Sequence, residues 1–133
     1  CLSTGKKFSE QRLNNQKNRD FNIIKIALNL PRPQLFDRIE RRVDQMIENG
    51  LVDEVKSLLP YRHLNALNTV GYKEIFQYLD SEITLDQAVT NIKTNTRRYA
   101  KRQLTWFNRT DGYAWFEPTQ LPAINDFISA ACR

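Results

Sequence analysis

The chain has 133 residues, of which 41% are hydrophobic, enough for the core of one ordinary domain. No apolar run approaches the ~18 residues of a membrane-spanning helix, and the start of the chain lacks the apolar segment of a signal peptide. A net charge of +5 and a pI near 9.4 favour an anionic partner.

Cysteine and histidine usage narrows the chemistry. Cys1 and Cys132 lie at the chain ends and form neither a disulfide framework nor a Cys-x-x-Cys zinc spacing, so a reducing cytoplasm is the expected home. His63 is the sole histidine, which excludes a histidine-based triad or a multi-histidine metal site built from these residues, and a structural or solvent-facing role is expected for it. The sequence opens on Cys1 rather than Met, in mid-stride, and is expected to be a piece of a longer protein.

Residues 1–20 are polar and read as a loop or a frayed helix end. Next comes FNIIKIALNLP, apolar on both sides and ended by Pro31 and Pro33, which predicts a buried strand of a parallel sheet. In QLFDRIERRVDQMIEN, the residues Leu35, Phe36, Ile39, Val43, Met46 and Ile47 fall at helical spacing, with Gly50 as the stop. LVDEVKSLL predicts a short helix closed by Pro60. Residues 61–71 lack periodicity and end in a turn at Val70-Gly71, and YKEIFQYL predicts another short helix.

Thr84-Leu85-Asp86-Gln87 has the form of a capping box, and the helix it opens runs to about Asn108. YAWFEP is a second strand, and Ile124, Phe127, Ile128 and Ala131 mark a last helix. Helix dominates. The two strands have no obvious partners, so neighbouring strands and crossover helices are expected from sequence outside this chain.

The long helix holds the unusual charge. Residues 95–109, NTRRYAKRQLTWFNR, carry Arg97, Arg98, Lys101, Arg102 and Arg109 and no acidic residue. With Lys93, the first four of these side chains form adjacent rows along roughly 15 Å of helix. Like charges one turn apart cost a free helix a few tenths of a kcal/mol per pair, and a phosphate backbone reverses the sign of that effect. Tyr99, Trp106 and Phe107 either stack on unpaired bases or fill the core, and their spacing favours the core. Arg38 and Arg42, one turn apart near the start of a helix that follows a strand, either grip a phosphate or pair with Glu40, Asp44 or Glu48. In NTVGYK, Gly71 permits a positive φ or a close approach, beside the ring of Tyr72 and the charge of Lys73.

Taken in order, TGKKFSEQR, RIERRVDQMIENGLVDEV, LNTVGYKEIFQYLDSEITLDQA and NTRRYAKRQLTWF resemble the tRNA dimethylallyltransferase (tRNA isopentenyltransferase) family. The resemblance covers nearly the whole chain, and the pairing of VGYKE with TRRYAKRQLTWF is its most specific part. It implies transfer of a dimethylallyl group from dimethylallyl diphosphate to N6 of the adenosine 3′ of the anticodon in tRNA. It also implies Mg²⁺ and a P-loop-type α/β core with a helical insertion. Residues 1–20 would be the tail of that insertion and a linker. Residues 21–133 would be the C-terminal part of the core, giving an α/β class that is mostly helical with one or two parallel strands.

Residue by residue, the resemblance implicates Asn68, Thr69, Val70, Gly71, Tyr72 and Lys73 in tRNA binding, together with Lys101, Arg102, Gln103, Leu104, Thr105, Trp106, Phe107 and Asn108. Arg97 and Arg98 join them from the basic helix. Arg42 matches an arginine near the reacting centre, and Arg38 is the diphosphate-binding candidate one turn earlier. Asn108 stands where Arg is common, with Arg109 beside it. Asn68 stands where some members have Arg, leaving Lys73 the only formal charge in that loop. The family's phosphate loop and general-base Asp would lie upstream, so these residues alone are expected not to catalyse transfer. The complete enzyme is expected to be monomeric. The competing reading from the residues is a helical nucleic-acid-binding module without enzymatic activity.

Overall fold

A computed structural model describes residues 21–132. The segment 1–20, with its TGKKFSEQR stretch and Cys1, lies outside the described residues. Strand β1 (Lys25–Leu28) leads through Pro31 into α1 (Arg32–Glu48), where Pro33 occupies a first-turn position whose N–H has no partner in a helix anyway. Gly50 then takes φ +92°, a left-handed conformation that side chains resist, and α2 (Leu51–Ser57) begins at once. Two short 3₁₀ turns, Leu59–Tyr61 and Asn65–Leu67, fill the stretch that lacks periodicity. The chain continues through α3 (Tyr72–Leu79), α4 (Leu85–Asn108), β2 (Tyr113–Phe116) and α5 (Leu121–Ala131).

Helices α1 to α4 enclose one apolar core of Val43, Leu51, Val55, Ile75, Phe76, Ala88 and Ile92. Each fully buried aliphatic side chain of this kind contributes ~1.5–3 kcal/mol. Tyr78, Leu79, Ile83 and Leu85 pack against it, sealing the short connection that folds α4 back along α3 as an antiparallel neighbour. Ion pairs fasten α1 to α4: Lys93 meets Asp44 at 2.6 Å and Arg97 meets Glu40 at 3.1 Å. Arg97 also lies 5.8 Å from the centre of the Phe36 ring.

At the start of α4, the Thr84 hydroxyl accepts from the Gln87 N–H at 3.2 Å, as the capping pattern predicts. The reciprocal half does not form, because the Gln87 side chain donates to Asn91 instead, at 3.1 Å. A reaching-back carboxylate occurs at α3: Glu74 accepts from the Gly71 N–H at 2.8 Å.

The strands are parallel as expected, but they find a partner within the chain rather than outside it. β1 and β2 pair with each other, in parallel, with Lys25 opposite Tyr113 and Leu28 opposite Phe116. The crossover between them is the whole α1–α4 bundle, which this chain supplies itself. Nor do the described residues bury β1 on both faces: Ala27 is its only buried residue, while Leu28 and, before the strand, Ile23 are exposed. Across the sheet, α5 covers part of β2 through Phe116 and Phe127, whose ring centres are 5.6 Å apart. α5 itself buries no residue fully.

Stability therefore resides in the bundle. Ile75→Ala, at a fully buried position, is expected to cost ~2–5 kcal/mol in urea denaturation, whereas Leu28→Ala at the exposed strand should stay within about 0.5 kcal/mol.

Candidate nucleic-acid interface

The interface follows from a mismatch in length. α3 has 8 residues and α4 has 24, so the first half of α4 packs in the bundle and the second half runs on past the start of α3. Ala88 and Ile92 are buried on one stripe of α4. At ~3.6 residues per turn, Tyr99 and Trp106 continue that stripe. Beyond α3 nothing among the described residues covers them, and they are 52% and 60% exposed. The expectation that these two rings fill the core is thus corrected; the core stripe outlasts the core. Phe107 is half-buried, edge-on to Tyr113 of β2 with ring centres 5.4 Å apart, and Trp106 leans on it at 4.9 Å.

The cationic residues divide into two sets. Lys93 and Arg97 face α1 and are held by its carboxylates, so the single continuous positive rod read from the sequence is interrupted there. Arg98, Lys101 and Arg102 are exposed, and none forms an ion pair among the described residues. Arg102 lies over the Tyr99 ring at 5.8 Å, and Arg98 reaches the Asn95 side-chain oxygen at 3.4 Å. Gln103, Thr105 and Asn108 are also exposed and Leu104 is half-buried; the Thr105 hydroxyl turns back to donate to the Lys101 carbonyl at 2.9 Å.

Beside the point where α4 emerges from the bundle sits the turn before α3. Asn68, Thr69, Val70 and Lys73 are exposed, Gly71 is buried, and Tyr72 is half-buried. Gly71 has φ +105°, and no atom lies within 4 Å of where a Cβ would stand, so its backbone conformation rather than crowding requires glycine. Glu74, only 3% exposed, accepts from the Gly71 N–H with one oxygen and from the Asn95 side-chain amide with the other, at 2.7 Å. The Tyr72 hydroxyl donates to the Glu54 carboxylate of α2. This bond, then partial burial, then the Glu54 charge raise the Tyr72 phenol above its ordinary pKa.

Upstream of the turn, Arg62 makes a two-pronged bond to Asp80 at 2.9 and 2.6 Å and lies 5.5 Å from the centre of the Phe76 ring. The hydrogen bond from Arg62 holds the Asp80 carboxyl below its usual range. Its contribution to stability is complete above the ordinary carboxylate pKa and is lost as pH falls through the lowered one. A cleft of about 310 Å³ opens here, lined in part by Arg62, exposed His63, Asn68 and Lys73.

Sequence-derived groups therefore converge in part. The Asn68–Lys73 turn is tied to α4 at Asn95, just before the run Arg98–Asn108, through Glu74. Arg38 and Arg42 stand elsewhere, about 9 and 15 Å along α1 from Arg32. Both are exposed and neither forms an ion pair among the described residues, because Arg97 and Lys93 engage Glu40 and Asp44 and Asp37 pairs with Arg41. A cleft of about 460 Å³ lies at the C-terminal ends of β1 and β2, with Asn29, Pro31, Asn108 and Gln120 on its walls. The residues that sequence reasoning missed are Glu54, Arg62, Glu74, Asp80 and Asn95. For Glu74 a signal was present, since a Glu three residues after a helix-opening Gly is placed to reach back to it. No three His, Cys, Asp or Glu side chains gather as metal donors among the described residues, so no chemical step is assigned to Mg²⁺ on this chain. Nor is any helix among the described residues long and apolar enough to cross a membrane.

With this geometry in place, comparison with known proteins is decisive on family. The profile described as "IPP transferase" matches residues 1–110. The chain belongs to the IPP transferase family. It is 52% identical over 128 residues to tRNA dimethylallyltransferase 1 of Bacteroides thetaiotaomicron, covering 96% of this chain and 42% of that relative. Identity to tRNA dimethylallyltransferase 2 of Parabacteroides distasonis is 51% over 129 residues, or 97% of this chain and 43% of that one. Among solved structures, the full-length tRNA isopentenylpyrophosphate transferase of Bacillus halodurans superposes with a TM-score of 0.78 at 41% identity, over 86% of this chain and 40% of that one. The Staphylococcus epidermidis enzyme gives 0.78 at 30% identity, over 98% and 44%. This IPP transferase chain thus spans about two fifths of the length of relatives to which it is similar.

The Tyr72–Glu54 bond has a measurable consequence. Because the phenol is raised, the stability it contributes is complete below the ordinary tyrosine pKa and is lost as pH rises through the raised value. Glu54→Ala is expected to bring Tyr72 back toward its ordinary pKa in an alkaline titration followed by ultraviolet absorbance, read as the difference from Tyr72→Phe. An unmoved curve would show that Glu54 does not hold this phenol.

Proposed function

We propose that the chain is the C-terminal part of a tRNA dimethylallyltransferase and supplies the surface that holds the anticodon stem-loop. The observation that carries the reading is the projecting half of α4. It presents Arg98, Lys101 and Arg102 without carboxylate partners among the described residues, next to the exposed rings of Tyr99 and Trp106, and its start is tied to the Asn68–Lys73 turn through Asn95 and Glu74. Cations at helical spacing suit successive phosphates, and exposed rings beside them suit an unpaired base. The names of similar proteins support tRNA as the polyanion.

In this reading the reaction breaks the allylic C–O bond of dimethylallyl diphosphate and forms a C–N bond at N6 of the adenosine 3′ of the anticodon. Diphosphate departs, and the amine proton passes to an upstream Asp. Negative charge builds on the diphosphate, which a fixed guanidinium stabilises in a water-poor site. Arg42, exposed and unengaged by carboxylates among the described residues, takes that role, with Arg38 one turn away on the same flank of α1. The adenine must leave its stack for N6 to reach the allyl carbon. The stem-loop grip at Asn68–Lys73 and along α4 keeps the RNA in place meanwhile. Arg97 contributes through the α1–α4 ion pair rather than as a free cation. The phosphate loop and Mg²⁺ belong to the upstream part of a P-loop-type core, and a cytoplasmic location goes with the tRNA substrate.

Two measurements test this. Titration of an anticodon stem-loop between ~50 and 200 mM salt should show a steep loss of affinity, and Lys101→Ala should lower the salt slope by about one. Weak binding with no salt slope would refute the grip. In the full-length transferase, Arg42→Ala is expected to lower kcat by ~10²–10³-fold, and an unchanged kcat would remove Arg42 from the reacting centre.

A further inference from the structure

The two segments assigned to RNA meet at one buried carboxylate. Glu74 sits in the first turn of α3, almost wholly removed from water, with no cation paired to it among the described residues. A buried carboxylate is tolerated when its lone pairs are filled, and both oxygens here are. Closing the end of α3 would need only the bond to Gly71. The second oxygen instead crosses to α4 and takes the amide of Asn95, 21 residues further along the chain, at 2.7 Å.

Asn95 stands at the last turn of α4 before its face is uncovered; Arg98 and Tyr99 follow, both exposed. Its own oxygen accepts from Arg98 at 3.4 Å. A single hydrogen-bonded path thus runs from the Gly71 backbone through Glu74 and Asn95 to a surface cation beside the RNA-facing half of α4.

We propose that the Glu74–Asn95 bridge is a positioning device: it fixes the Asn68–Lys73 turn against the projecting half of α4, so that the two grip RNA as one rigid unit. The proposal rests on the stem-loop reading above. Neither residue need touch RNA. Gly71 at φ +105° gives the turn conformational freedom, and the carboxylate that holds its N–H is anchored by the neighbouring helix.

The test is an exchange of partners in the full-length protein, read by stem-loop affinity, thermal midpoint and amide hydrogen exchange at Gly71. Asn95→Asp sets two carboxylates against each other. It is expected to weaken stem-loop binding at least about tenfold and to speed Gly71 exchange by a similar factor. Adding Glu74→Gln supplies an amide that donates to the new carboxylate while its oxygen still accepts from Gly71. The pair Glu74→Gln/Asn95→Asp should therefore restore both readings to within about threefold. As a control for stability alone, Val55→Ala in the bundle core should lower the thermal midpoint and leave affinity within about threefold.

Parent-like affinity in Asn95→Asp would overturn the proposal, as would a double variant no better than the single, or equal loss of affinity in Val55→Ala. If Asn95→Asp fails to fold, Asn95→Ala introduces no charge and must still speed Gly71 exchange; unchanged exchange there overturns the bridge. A parent protein that ignores the stem-loop sinks the RNA reading, and with it the grip as a unit, while Gly71 exchange still decides whether the turn is tied to α4.

Discussion

A helix of 24 residues laid against one of 8 cannot be covered along its length, and this constraint organises the molecule. The first half of α4 completes the bundle with Ala88 and Ile92. Its second half carries the same stripe outward past α3, where among the described residues Tyr99 and Trp106 stay more than half exposed, so rings that would be core in a longer bundle become surface. Exposed large aromatics flanked by cations are unusual on a chain with a well-filled core, and the proposed RNA contact rests on them.

Charge is sorted by the same arrangement. α1 lies along one side of α4 and answers the row nearest to it, Glu40 with Arg97 and Asp44 with Lys93. These pairs are partly exposed, and in such settings an ion pair contributes ~0–1 kcal/mol, so their role is to set the crossing of two helices more than to stabilise them. The row on the other side forms no ion pair among the described residues. Because α1 spends Glu40 and Asp44 on α4, Arg38 and Arg42 are left without carboxylates as well.

The helices were legible because their signals are local: apolar spacing in 35–47, Thr84 before a periodic run, Gly50 and Gly71 as punctuation. The strands were legible as elements and misjudged as partners. The apolar run in FNIIKIALNLP says how a segment is built, but the identity of its neighbour is a long-range fact, here Lys25 opposite Tyr113. The candidate site shows the same division. Motif residues at 68–73 and 101–108 lie in two runs that sequence alone locates but does not join. Glu74 and Asn95 join them, and polar residues whose worth depends on burial carry no mark in composition. The ion pairs of Lys93 and Arg97 were hidden for a related reason, since inspection of 95–109 finds no acid and the neutralising carboxylates come from a helix some fifty residues earlier.

The parallel pairing of β1 and β2 bears on how this chain reaches its fold. A hairpin can form from neighbouring residues, but these two strands are separated by the whole helical bundle, and bringing them together first would close a very long loop for a handful of hydrogen bonds. Local helix contacts come at far lower entropic cost, so the bundle condenses early and delivers the strand ends to each other. Between these two strands the pairing is then a late clasp rather than a seed, its alignment inherited from helices that contribute no residue to it.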